Sequence, residues 1–156
     1  MTVRRAQEQD IPRLIDLLHQ VLDLHAKGRG DIFRAGTTKY NPDQLREMLK
    51  DEQAPIFVLT DETETVQGYA MCMVEQADSE NLWPRTTVFI DDLCVDERCR
   101  GKHYGMQLYE AVKAYAKSID AYHITLNVWT CNPEAIAFYK KIGLKPMKEV
   151  MEEILG

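Results

Sequence analysis

The stretch from Phe89 to Gly105 holds most of the side chains in this 156-residue chain that could do chemistry. Its first half, Phe89-Ile90-Asp91-Asp92-Leu93-Cys94-Val95, reads as a strand that is apolar apart from two adjacent carboxylates. A charge in such a strand is costly unless it meets water or a partner, so Asp91 and Asp92 are candidates to take up a proton or hold a cation. Adjacent strand residues face opposite ways, which lets only one of the two point into a given cleft. The second half, Asp96 to Gly105, is a basic turn that opens an amphipathic helix. Backbone N–H groups at a helix start lack intrahelical partners and lie at the positive end of its dipole, so an anion such as phosphate docks there. Gly101 and Gly105 allow close approach of the backbone, while Arg98, Arg100 and Lys102 supply charge.

A second patterned segment follows about thirty residues on. Asn132 has the chemistry of a helix N-cap, Pro133 suits the first helical turn, and Gly143 is placed to stop the helix. Ala135, Phe138, Tyr139 and Ile142 form a stripe on its core-facing side.

Together the two segments resemble the GNAT acetyltransferases. That family carries an Arg/Gln-x-x-Gly-x-Gly/Ala turn after its central strand, matched by Arg100-Gly-Lys-His103-Tyr-Gly105. It also carries an Asn-x-x-Ala-x-x-Phe-Tyr-x-x-x-Gly-Phe/Leu helix, matched by Asn132 to Leu144. His103 stands where the middle glycine of the turn is usual. The resemblance implies acetyl-CoA as the cofactor. It would lay the pantetheine arm along the backbone of Leu93, Cys94 and Val95, with the pyrophosphate on the N–H groups of Gly101, Lys102, His103, Tyr104, Gly105 and Met106 beside Arg100.

The same resemblance makes Tyr139 the acid that protonates the departing thiolate, and lets Asn132 contact coenzyme A as well as cap its helix. It puts Asp91 first as base, acting through water, with Asp92 as the other choice. A plainer reading stands beside each role: Tyr139 is core packing, Asn132 only a cap, and the two carboxylates only partners of loop amides or arginines. In relatives the acceptor site is built from the first two helices and the loop between them, which maps to Leu24–Tyr40 and draws Asp31, Phe33 and Tyr40 to the substrate beside Asp91 and Asp92.

The elements that must position these groups follow from periodicity and turn chemistry. Val3 to Ala6 predicts a short strand, and the spacing of Ile11, Leu14, Ile15, Leu18, Val21, Leu22 and His25 predicts a helix over 11–25. Gly28-Arg29-Gly30 breaks it, and a loop runs to Tyr40. Asn41-Pro42-Asp43-Gln44 has the cap, proline and capping-box glutamine of a short helix. Strands are expected at 55–60, 66–75 and 86–95, the last apolar on both faces and therefore central. A helix after Gly105, a strand at 124–129, the helix after Asn132 and a final strand at 147–154 complete the order βααβββαβαβ. This is an α/β fold, one domain with a mixed sheet flanked by helices.

Composition bounds the function. Apolar content of 45% and charged content of 28% suit an ordinary globular domain able to bury a core unaided. A net charge of −6 argues against nucleic acid and suits a cationic substrate. No long apolar run or signal-peptide pattern is present, so the expected compartment is the cytoplasm, with no membrane partner. The four cysteines have neither disulfide nor zinc spacing, and no metal is expected. The expectation is an acetyl-CoA-dependent N-acetyltransferase acting by direct attack of a primary amine, a small amine first and a peptide amine second, with a homodimer left open. The alternatives are a non-catalytic acyl-CoA-binding or regulatory domain, and an enzyme for protein N-termini or lysines.

Overall fold

A computed structural model describes residues 1–156. The chain forms β1 (Thr2–Arg5), α1 (Ile11–Gly28), α2 (Pro42–Lys50), β2 (Ile56–Thr60), β3 (Val66–Ala77), β4 (Arg85–Val95), α3 (Tyr104–Ser118), β5 (His123–Leu126) and α4 (Pro133–Lys141). The strands make one sheet in the order β1-β2-β3-β4-β5. Neighbours are antiparallel from β1 to β4, and β4 and β5 are parallel. A parallel pair needs a crossover, and α3 supplies it.

Alternation along the strands builds a core on each face of the sheet. Tyr69 and Met71 of β3 join Val58, Cys94 and the Leu14, Leu17 and Leu18 stripe of α1 on one side, closed by Leu45 of α2. Ala70 and Cys72 point the other way, meeting Phe57, Leu59, Val88, Ile90 and the Leu108–Val112 face of α3. The caps form as their residue types dictate. Asn41 accepts from the Gln44 N–H and Gln44 Oε1 accepts from the Asn41 N–H, both within 2.9 Å. Helix α4 ends with Gly143 at φ 108° and with Leu144 N–H bonded to the Tyr139 carbonyl at 3.0 Å, the left-handed termination that glycine favours.

Two expected strands differ. The strand foreseen at 124–129 stops at Leu126, because Trp129 leaves the sheet to pack on Phe33 and the chain then turns into the Asn132 cap. No strand forms over 147–154. A strand exists only where a neighbour supplies the other half of its hydrogen bonds, and residues 145–156 have no backbone hydrogen bond within the chain. The observed order is therefore βααβββαβα.

Candidate active site

The site grows from the end of β4. Strand β5 pairs with β4 only from Thr87 to Ile90, so the two strands part beyond Ile90. The β5-facing edge of β4 at Leu93, Cys94 and Val95 is left without a strand partner. Leu93 and Val95 pack toward α3, while the Cys94 side chain is buried toward α1 with its Sγ 3.9 Å from the Leu17 carbonyl. Burial pushes the Cys94 thiol up to about 12, so it stays protonated.

At the same place β4 carries a bulge. Met71 pairs with Asp92 and Cys72 with Ile90, which leaves Asp91 as the extra residue. The bulge cancels the strict alternation expected of adjacent residues, and both carboxylates turn to the α1 side. Asp92 accepts a 2.7 Å hydrogen bond from the Tyr69 hydroxyl, and Asp91 accepts from the Tyr40 hydroxyl at 2.5 Å and from Lys39 Nζ at 2.9 Å. The expectation that only one of the two could face a given cleft is thereby corrected.

The two carboxylates sit in different environments. Asp91 has an ammonium against it. Asp92 does not, and burial raises it to about 6; the Tyr69 hydrogen bond and the more distant Lys39 pull it down, and Asp91 pushes it up. Burial also raises Tyr40 and Tyr69, each further raised by its carboxylate, so both phenols are donors at neutral pH.

Tyr139 approaches from α4. Its ring stacks edge-on against Phe138 at 5.2 Å, and its hydroxyl has no protein hydrogen-bond partner. Burial raises its pKa first, and the neighbouring Asp92 and Cys94 raise it further, so the phenol keeps its proton near that carboxylate. Asn132 caps α4, its Oδ1 accepting from the Ala135 N–H at 3.3 Å.

Below the end of β4, the basic turn folds as a cradle. Gly101 and His103 both have left-handed backbone, at φ 83° and 62°, and the helix that follows has no side-chain cap on its N-terminus. The N–H groups of Tyr104, Gly105 and Met106 are thus free of side-chain partners, and the αL residues help curve the backbone into an anion-binding concavity. A Cβ at Gly105 would stand 3.1 Å from Phe138, so α3 and α4 meet closely and join the turn to Tyr139. Lys102 is exposed, and Arg100 folds back so that its Nε donates to the Val95 carbonyl at 3.3 Å. Asp96 anchors the turn: fully buried, it bonds Arg13 at 2.8 Å and Arg98 at 2.9 Å and accepts from the Arg98 N–H.

Of the loop residues, Tyr40 reaches the carboxylate pair directly. Phe33 joins His25 and Trp129 in an aromatic cluster, with their ring centroids 5.0 and 4.9 Å from its own, respectively. Burial lowers the His25 pKa, and the Lys39 ammonium, within electrostatic reach, lowers it further. Asp31 is not brought in; both its oxygens are held by Arg29. Tyr69 is the group to which the sequence assigns no role, and Lys39, a charged residue of the Leu24–Tyr40 loop, is the one whose partner the sequence does not show. Tyr69 carried a signal only in its register, opposite Cys94 and two positions before Met71.

The acetyltransferase (GNAT) family model matches residues 18–144. The chain belongs to that family. Among solved structures, a mutant of the BH1408 protein from Bacillus halodurans is 35% identical, with a TM-score of 0.95 over 99% of both chains. Residues after Gly143 of this GNAT chain fall within that match. A glucosamine-6-phosphate N-acetyltransferase from Arabidopsis thaliana, 21% identical with a TM-score of 0.69 over 99% of this chain and 98% of its own, shares the fold. So does an aminoglycoside N-acetyltransferase in complex with CoA, 13% identical with a TM-score of 0.73 over 99% of both chains.

Proposed function

We propose that this GNAT acetyltransferase moves an acetyl group from acetyl-CoA to a small primary amine by direct attack, with Asp92 as base and Tyr139 as acid. The observation that carries this reading is the bulge at Asp91, which turns two carboxylates of different chemistry toward one side beside the free edge of β4.

The residues present fit acetyl-CoA. The curved turn from Gly101 to His103 and the uncapped start of α3 would hold its pyrophosphate, with Arg100 and Lys102 adding charge, and the backbone of Leu93, Cys94 and Val95 would take the pantetheine arm. When bound, acetyl-CoA supplies an acetyl group activated as a thioester.

The chain's own groups do the rest. An incoming amine is an ammonium at neutral pH, and it must lose a proton before it can attack. Asp91 is met by Lys39, and Asp92 beside it has no cation of its own, so the pair keeps surplus negative charge that draws an ammonium. Asp92, held near 6, is mostly ionised at pH 7 and basic enough to accept that proton, directly or through a water. Tyr139 Oη, unbonded within the protein, holds the proton needed by a departing thiolate. His25, Phe33 and Trp129 form an aromatic wall at the acceptor end, suited to a small amine with an apolar body. The active compartment proposed is the cytoplasm; no helix is long and apolar enough to cross a membrane.

Initial rates with acetyl-CoA and amine both varied test the direct route. Intersecting double-reciprocal lines and an acetylated amine product are expected. Parallel lines, or an acetylated protein that passes the group on, would replace direct attack with a two-step route.

A further inference from the structure

Lys39 carries an ammonium to the point where the proposed reaction needs one. Its Nζ lies 2.9 Å from Asp91 Oδ1 and 3.5 Å from the Asp91 main-chain carbonyl. The ammonium therefore sits over the bulge itself, where β5 has just parted from β4 and next to the free edge at Leu93–Val95. Burial raises the Asp92 pKa, and the Tyr69 hydrogen bond and then Lys39 lower it, so the ammonium is also within electrostatic reach of Asp92.

The loop holds Lys39 there from both sides. Tyr40 donates its hydroxyl to the other oxygen of the same carboxylate, and Thr38 Oγ1 donates to the Tyr40 carbonyl at 2.8 Å. The Gly36 N–H ties the loop to α1 through Asp23 at 3.0 Å. The other ion-paired lysine, Lys50, lies on the surface of α2 with Glu47 three residues before it. The Lys39 side chain is still 48% exposed, and an ion pair so open to water is weak enough to part when the amine reacts.

We propose that Lys39 is itself an acetyl acceptor of this site, modified on Nζ by acetyl-CoA bound to the same chain when no amine substrate is present. This rests on the acetyl transfer proposed for Asp92 and Tyr139. Lys39 Nζ gives one proton to Asp92, directly or through a water, and its lone pair attacks the thioester carbonyl. An N–C bond forms, the C–S bond breaks, and the thiolate takes the proton of Tyr139 Oη. The nitrogen sheds a second proton as it becomes an amide, which returns to Tyr139 through water, and Asp92 releases its own to solvent. The products are Nε-acetyl-Lys39, the CoA thiol and one proton. An amide is too stable to pass its acetyl group to an amine, so acetyl-Lys39 is an end product and not a carrier. Its formation takes the cation from Asp91, so the modified chain holds an incoming ammonium more tightly.

Incubation of the pure full chain with acetyl-CoA and no amine, followed by intact mass and peptide mapping, tests this. One acetyl group at Lys39 is expected, formed about tenfold or more faster than on the exposed Lys113 and Lys117, at a rate independent of protein concentration. In Asp92→Asn the Lys39 rate should fall to about that of Lys113. Lys39→Gln, neutral like the acetylated side chain, is expected to bind a small primary amine about threefold or more tightly by calorimetry with no acetyl-CoA present. Amine-dependent CoA release from the same preparation separates the two readings. Release with Lys39 left unmodified overturns this proposal and leaves the acetyltransferase function standing, whereas neither release nor acetyl-Lys39 overturns both. Acetylation of Lys39 no faster than of Lys113, or undiminished in Asp92→Asn, is unassisted chemistry and overturns the proposal. So does a rate that rises with protein concentration, or an unchanged amine affinity in Lys39→Gln.

Discussion

Asp91 and Asp92 are consecutive in β4 yet face the same side of the sheet, because the strand bulges at Asp91 between the pairs Met71–Asp92 and Cys72–Ile90. One register shift thus converts a pair that would have straddled the sheet into neighbours. Lys39 and Tyr40 hold the first, and Tyr69 alone bonds the second.

The difference predicts a pH profile. The rate per encounter, kcat/KM, should rise with pH through about 6 as Asp92 loses its proton, provided the amine's own ionisation is allowed for. Asp92→Asn should lower kcat roughly 100- to 10,000-fold and remove that limb. Tyr69→Phe deletes a hydrogen bond that favours the charged form, so the limb should move to higher pH. If the limb is unchanged in Tyr69→Phe and instead disappears in Asp91→Asn, Asp91 is the base.

For Tyr139→Phe, turnover should slow by roughly 10- to 1,000-fold with little change in the Michaelis constant for acetyl-CoA, the pattern of a lost proton donor. Steady-state kinetics decide it. Unchanged turnover would make Tyr139 a packing residue on α4 beside Phe138.

His103 occupies left-handed backbone at φ 62°, a conformation that costs a residue with a Cβ about 1 kcal/mol. This gives a physical reason for a glycine at that place in relatives. His103→Gly should raise stability to urea by up to about 1 kcal/mol and leave the Michaelis constant for acetyl-CoA within about threefold. A rise beyond tenfold would show that the imidazole itself contacts the phosphates.

Asp96 sets an acid limit on stability. Its hydrogen bonds from Arg98, and then from Arg13, hold its carboxyl well below the usual carboxylate range. A group whose folded pKa is depressed stabilises the fold above its unfolded value near 4, and that contribution is lost as pH falls below it. Urea unfolding should show a loss of about 3 kcal/mol for Asp96→Ala at pH 7, shrinking toward pH 3. A loss that stays constant with pH would assign the effect to packing instead.

Local features were legible in the sequence. The Asn41–Gln44 capping box, the Asn132 cap, the Gly143 stop and the basic turn at 98–105 all depend on residues within a few positions of one another. What escaped depends on distant partners. The bulge is a property of the β3–β4 register, and nothing in Phe89–Val95 alone states where the extra residue falls. Lys39 and Tyr40 meet Asp91 across about fifty positions, so their role needs the loop's path. The final strand expected at 147–154 does not form, because pairing depends on a distant neighbour and these residues make no backbone hydrogen bond within the chain.

The most direct test incubates the pure protein with acetyl-CoA and a panel of primary amines, including small apolar amines, amino acids, peptide N-termini and lysine peptides, and reads free CoA thiol. Saturable, amine-dependent CoA release is expected, strongest with small amines and slowed by roughly 100-fold or more in Asp92→Asn. Acetyl-CoA binding without amine-dependent release from any member of the panel would contradict it and leave an acyl-CoA-binding domain with no transfer.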